Sequence, residues 1–267
     1  MTELRIGTSG YDYLDWKGPF YPGDLRRDEF LPFYSENFDT VELNFSYYRM
    51  PTAHQLEGIM KRSGKKLDFA IKAHSSMTHT IDPHGWKTAA REYADAVEVL
   101  AREGRLASVL LQFPYSFHYI PERRQYLDRL IQEIHEFPLV VEFRNTEWLN
   151  KRVFDALRER QAGFCCVDMP RLKGLPASLD IVTAPIAYIR FHGRNEQTWW
   201  GSDAAARFDY LYQDTELKPW IDRIISMAGS AEKIRVYFNN HRRGQAPANA
   251  LMLKKLLTAE GLIPGSK

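Results

Sequence analysis

Three carboxylates, three cations and a histidine stand near the ends of short apolar runs: Glu42, Glu142 and Asp168, then Lys72, Arg144 and Arg190, with His192. Carboxylates and cations confined to one cavity push each other's pKa values apart, so one site can hold a proton acceptor and an electrophilic partner near neutral pH. Glu142 is the first candidate for a general base, because Arg144, two residues on, would hold it ionised and grip an anionic substrate. Glu42 is the alternative base, and His192 and Asp168 are further acid/base candidates. Lys72 and Arg190 would bind phosphate or stabilise developing negative charge. Other ligand contacts are expected from Asn44, Asn239, Asn240, Arg194, Trp16 and Tyr48. The charges balance three to three, so a buried ion network that merely plugs the fold is the competing reading.

A metal would need His74, His79, Glu142, Asp168 and His192 to converge. No short two-histidine motif supports that, and three cations would oppose a bound cation. The site is expected to be metal-free and without a cofactor. The segment Ile6–Tyr11, IGTSGY, could turn its amides toward a phosphate, but it is no Walker or Rossmann fingerprint. A tight turn is the safer account of Gly7 and Gly10.

These side chains need strands to aim them. Runs rich in Val, Ile and Phe cover Leu4–Ser9, Thr40–Phe45, Asp68–His74, Ala107–Phe113, Pro138–Arg144, Ala162–Asp168, Ile186–Gly193 and Lys233–Asn240. Helix-length segments separate them, with Thr52 capping a helix to Arg62, Lys87–Glu103, Pro121–His135 and Pro247–Glu260. Eight alternating units predict a single α/β domain over 1–267, a (β/α)8 TIM-type barrel. Three prolines within Met169–Pro185 leave little room for a full helix after the sixth strand, so an irregular loop or a short helix is expected there. Residues two apart on a strand share a face, so Val41, Leu43 and Phe45 oppose Glu42 and Asn44, while Val141 and Phe143 oppose Glu142 and Arg144. Gln112, Asp168, the pair Arg190 and His192, and Tyr237 with Asn239 extend the same ring at the C-terminal mouth, where barrel enzymes keep their active sites. Gly193–Asp214 is polar and glycine-punctuated yet carries Trp199 and Trp200, which predicts a flap over that mouth.

The 36 basic and 34 acidic residues give a net charge of +2, too little for the strong positive field of a typical nucleic-acid binder. No stretch approaches the roughly 20 apolar residues that cross a bilayer, and the charged N-terminus lacks an export signal, so a cytoplasmic protein without membrane contact is expected. Adjacent Cys165 and Cys166 point to opposite faces and are expected to be small buried hydrophobes rather than a disulfide.

Six collinear motifs, IGTSGY, DTVELNFSYYRMP, FAIKAHSSMTH, VVEFRNTEW, YIRFHGR and FNNH, resemble the YecE-like family called domain of unknown function 72. The likeness spans nearly the whole chain. It implies a barrel related in shape to the xylose isomerase and endonuclease IV group. It falls on Trp16, Glu42, Asn44, Tyr48, Lys72, His79, Glu142, Arg144, Asp168, Arg190, His192, Arg194 and Asn240, without assigning their roles.

Three functions stay open. One is a metal-independent barrel enzyme, a hydrolase, lyase or isomerase, acting on a small anionic, phosphate- or sugar-bearing compound. Another is a nucleic-acid-binding or repair protein, suggested by aromatic and arginine residues on the rim. The third is a ligand-binding protein without turnover.

Overall fold

Val, Ile and Phe at alternate positions extend the backbone, and the computed structural model, which describes residues 2–263, carries eight strands. They are β1 Glu3–Thr8, β2 Thr40–Leu43, β3 Asp68–Lys72, β4 Leu106–Gln112, β5 Leu139–Glu142, β6 Gly163–Asp168, β7 Ile186–Phe191 and β8 Lys233–Phe238. All pair in parallel in the order β1-β8-β7-β6-β5-β4-β3-β2. Several strands stop short of the expected ends, β2 at Leu43 against Phe45, β3 at Lys72 against His74, β5 at Glu142 against Arg144, β7 at Phe191 against Gly193 and β8 at Phe238 against Asn240, because the chain turns into loops there; Phe45–Tyr48 is already a helical turn.

A helix of eight or more residues follows every strand but one: α1 Phe30–Asn37, α2 Ala53–Arg62, α3 Trp86–Arg102, α4 Pro121–Glu133, α5 Lys151–Glu159, α6 Pro219–Ala228 and α7 Gln245–Ala259. Their starts follow local chemistry. Thr52 accepts from Gln55 N at 3.3 Å while Gln55 accepts from Thr52 N at 3.2 Å, closing a capping box on α2. Pro121 opens α4, where its missing N–H costs nothing. Residues 169–185, after β6, form turns and bends without a helix, as their prolines predict. The Gly-Ser-Lys tail, expected to fray, lies outside the described residues.

The barrel closes between β1 and β2 by a different route from its other seams. A single bridge joins Ser9 and Glu42, and Gly10 N donates to Glu42 O at 2.7 Å. Below it the Tyr34 hydroxyl of α1 accepts from Thr8 N at 2.9 Å and donates to Thr40 O at 3.0 Å, standing in for ladder bonds. Gly7 permits this close approach, since a Cβ there would sit 2.1 Å from Thr40 O.

Inside, the barrel is layered. Its N-terminal end is an ion cluster, with Asp68 2.7 Å from Arg235 and 3.3 Å from Arg5. An apolar layer of Ala70, Leu110, Val140, Cys165 and the rings of Tyr188 and Tyr237 lies above it. Cys166 packs on the outer face, and both cysteines are free. The next layer up is charged.

Candidate functional site

Arg190 of β7 spans the barrel above the apolar layer. Its guanidinium donates to Glu42 of β2 at 2.7 Å and to Glu142 of β5 at 2.6 Å, and all three side chains are at most 2% exposed. Tyr188, two residues before Arg190 on the same face, donates to the second Glu42 oxygen at 2.7 Å. The remaining Glu142 oxygen accepts from Arg144 Nε. Burial alone would raise the Glu142 pKa, but Arg144, Arg190 and His192 outweigh it and hold the carboxyl well below its ordinary range. Burial disfavours charge on Arg190 too, and its two carboxylates reverse that.

His192 Nδ1 faces two donors, Asn239 Nδ2 at 3.1 Å and Arg144 Nη2 at 3.4 Å, which makes it the acceptor and assigns the ring proton to Nε2. Nε2 lies 3.2 Å from Glu142 but off the axis of a hydrogen bond. Burial, reinforced by Arg144, pushes the imidazole pKa down to about 3, so His192 is neutral at physiological pH.

Above this floor opens a cavity of about 540 Å³ at the C-terminal mouth. Its wall carries Lys72, Arg144, Arg190 and Arg207, and among the described residues no Asp or Glu lines it. Glu42 and Glu142 lie beneath, already paired. Lys72 is the cation left over: its Nζ sits 4.0 Å above the Tyr47 ring and has no carboxylate or hydrogen-bond acceptor among the described residues. Burial, together with Arg190 and Arg144, lowers its pKa to about 7 against the pull of Glu142 and Glu42. His79 shares the wall, and burial with Lys72 and Arg144 lowers it to about 4. Trp199, Phe208, Tyr115 and the half-exposed Trp200 complete the enclosure.

The sequence model described as "Protein of unknown function DUF72" matches residues 5–266. The chain belongs to the DUF72 family. It is similar to the UPF0759 protein YunF of Bacillus subtilis (strain 168), 28% identical over 278 residues with 98% of each chain covered. A DUF72 family protein from Thermotoga maritima MSB8 superposes with a TM-score of 0.88 at 35% identity, covering 96% of this chain and 99% of that one. One from Enterococcus faecalis V583 gives 0.85 at 24%, over 96% and 95%. SacUVDE, 9% identical with a TM-score of 0.57 over 98% and 100%, shares the fold.

In this DUF72 barrel Glu42, Glu142, Lys72, Arg144, Arg190, His192 and Asn239 come together as the strand alternation predicts. Asn44 joins them at the wall, its buried Oδ1 without a partner among the described residues. Tyr48 stands at the rim, 77% exposed. With Tyr13 and Asn44 it also lines a second cavity of about 600 Å³ toward Arg62, so the mouth continues sideways.

Other expected members lie elsewhere. Cys165 and Val167 face inward on β6, which turns Asp168 outward beside Cys166. There Asp168 accepts from Arg194 at 2.8 and 2.7 Å and from Tyr212 at 2.7 Å, so neither Asp168 nor Arg194 enters the ring. Asn240 is likewise on the outer face of its strand's extension, donating to Tyr210 O and Asn249 at 2.8 Å and tying down the end of the 193–214 segment. Trp16 is fully buried in an aromatic cluster with Tyr13 and Tyr21, its indole donating to His241 O at 2.6 Å. His74 caps the helical turn Ser75–Thr78. The five residues considered for a metal therefore do not converge, and no group of three or more His, Cys, Asp or Glu side chains among the described residues could hold one.

Two contributors escaped the sequence reading. Tyr188 was visible to the same alternation that marks Arg190. Arg207 carries no comparable signal, because it reaches the wall from a four-residue helix, Ala204–Arg207, that lies off the barrel strands.

Proposed function

We propose that the chain is an enzyme acting on a small anionic, phosphate- or sugar-bearing compound at the barrel mouth. The observation that carries this reading is a deep wall of four cations with no lining carboxylate among the described residues. Arg144 and Arg190, fixed by Glu142 and Glu42, would grip the anionic group and stabilise charge developing on the substrate. Lys72, titrating near neutrality, would be the acid/base group. Glu142 suits orientation better than proton abstraction, since both its oxygens are engaged by cations. The wall cations would supply the electrostatic stabilisation that such chemistry needs.

The test is a thermal-shift panel of phosphorylated and carboxylated small molecules against neutral sugars. Anions should raise the midpoint of the wild type and not of Arg144→Gln, and the compounds that bind should be turned over by the wild type but not by Lys72→Met. Stabilisation by neutral sugars alone, or an unchanged response in Arg144→Gln, would sink the reading. A second reading, binding of single-stranded nucleic acid, is favoured by Tyr48, Tyr115 and Trp200 exposed around the cations. It requires affinity for an oligonucleotide that falls steeply as salt rises.

A further inference from the structure

We propose that Lys72 is a covalent nucleophile, its amine adding to the carbonyl carbon of an anionic aldehyde, ketone or oxo acid to form an imine. This rests on the anion-binding reading above and narrows its substrate to oxo compounds.

The geometry isolates one amine. Glu42 and Glu142 each meet Arg190, and Glu142 also meets Arg144, so the carboxylates and guanidiniums of the floor neutralise one another. Lys72 projects from the inner face of β3 onto the cavity wall with the Tyr47 ring 4.0 Å beneath its Nζ and no carboxylate partner among the described residues. A methionine would fill the same space without an unpaired charge, so the amine contributes nothing to packing that an apolar side chain would not. Burial, reinforced by Arg190 and Arg144, leaves a large share of such an amine unprotonated and nucleophilic near neutral pH, and the guanidiniums would hold the anionic group of the incoming carbonyl compound. Once that anion is seated, the iminium gains the counter-charge that the free ammonium lacks.

The step balances without oxidant or reductant. The nitrogen lone pair forms a C–N bond as the C=O π pair moves to oxygen. A proton passes from nitrogen to that oxygen, giving a carbinolamine. A second proton lets the oxygen leave as water while nitrogen completes the C=N bond. His79, on the same wall with Nδ1 held 2.9 Å from the Thr78 hydroxyl, is placed to relay these protons. The charged groups facing the amine are Arg190, Arg144, Glu142 and Glu42.

The experiment is trapping. The protein is incubated with pyridoxal 5′-phosphate or, as a smaller probe, glyoxylate, then reduced with borohydride and mapped by peptide mass spectrometry. Lys72 should be labelled at least tenfold faster than exposed lysines such as Lys151 and Lys87, with a rate that rises through about pH 7 and falls when inorganic phosphate is added. Arg144→Gln, checked for folding by circular dichroism, should label at least tenfold more slowly. Labelling spread over exposed lysines with Lys72 untouched, while calorimetry still detects phosphate binding, would overturn the imine and leave the anion site standing. If neither phosphate nor either probe binds, the anion-site reading falls and the imine with it.

Discussion

Replacing Lys72 by methionine should make the protein more stable. The amine titrates at about 10.5 in an unfolded chain and at about 7 in the fold. The unfolded state therefore holds more protons between these values, and wild-type stability rises with pH across that window. Below about pH 7 the fold carries the unpaired ammonium at full cost. At about 1.4 kcal/mol per tenfold change, that cost has an upper bound of about 5 kcal/mol. Lys72 is half-buried and opens onto a cavity that water can enter, so screening reduces it to on the order of 2 kcal/mol. For a chain of this size that is about 4 °C in the thermal midpoint. Scanning calorimetry of the wild type and Lys72→Met at about pH 6 and about pH 9.5 should show the variant ahead at the lower pH and the gap narrowing at the higher. A variant that melts lower at about pH 6, or a gap indifferent to pH, would mean that the amine has a counter-charge the geometry lacks. The special chemistry assigned to Lys72 would then lose its physical basis.

Three other substitutions probe the frame around it. Tyr34→Phe strands Thr8 N and Thr40 O at the β1–β2 seam and should cost about 1–3 kcal/mol, read as a lower midpoint by calorimetry. Glu142→Gln leaves Arg190 and Arg144 under-compensated and should cost about 3–5 kcal/mol. Because the folded Glu142 pKa lies well below 4.5, the stability it supplies is present above that value and is lost as pH falls toward the folded pKa. Glu142→Gln should accordingly flatten the acid limb of the stability profile, measured by urea melts from neutral to acid pH. Asp168→Asn weakens the grip on Arg194 and Tyr212, so hydrogen exchange across residues 193–214 should quicken while phosphate affinity at the mouth changes by less than about twofold. A tenfold loss of phosphate binding, read by calorimetry, would put Asp168 back in the site.

How far the sequence could be read depended on contrast between strand faces. Where one face is charged and the other apolar, as at Glu142 and Arg144 against Val141 and Phe143, alternation assigns the inward side correctly. On β6 the residues Phe164, Cys165, Cys166 and Val167 are small or apolar on both faces, so nothing in the pattern fixes the parity of Asp168. Asn239 and Asn240 are adjacent, and only one of them can face the mouth. His74 and Trp16 have the right chemistry near the right strand ends, but local hydrogen bonding and aromatic packing divert them. Nor does a list of three carboxylates and three cations say which cation is left without a partner. That follows from distances across the barrel, because among the described residues Arg190 meets two carboxylates and Lys72 meets none.

The β1–β2 seam gives the barrel a mechanical character that a fully laddered sheet would lack. A row of parallel backbone bonds resists sliding of one strand along the next, whereas a phenol oxygen on a rotatable side chain yields to it. The compliant joint lies below the rim where Tyr13, Asn44 and Tyr48 line both the mouth and its lateral extension. Shear at β1 and β2 would carry Glu42 with it and draw on Arg190 across the bore, so the width of the mouth and the seating of that arginine are mechanically linked.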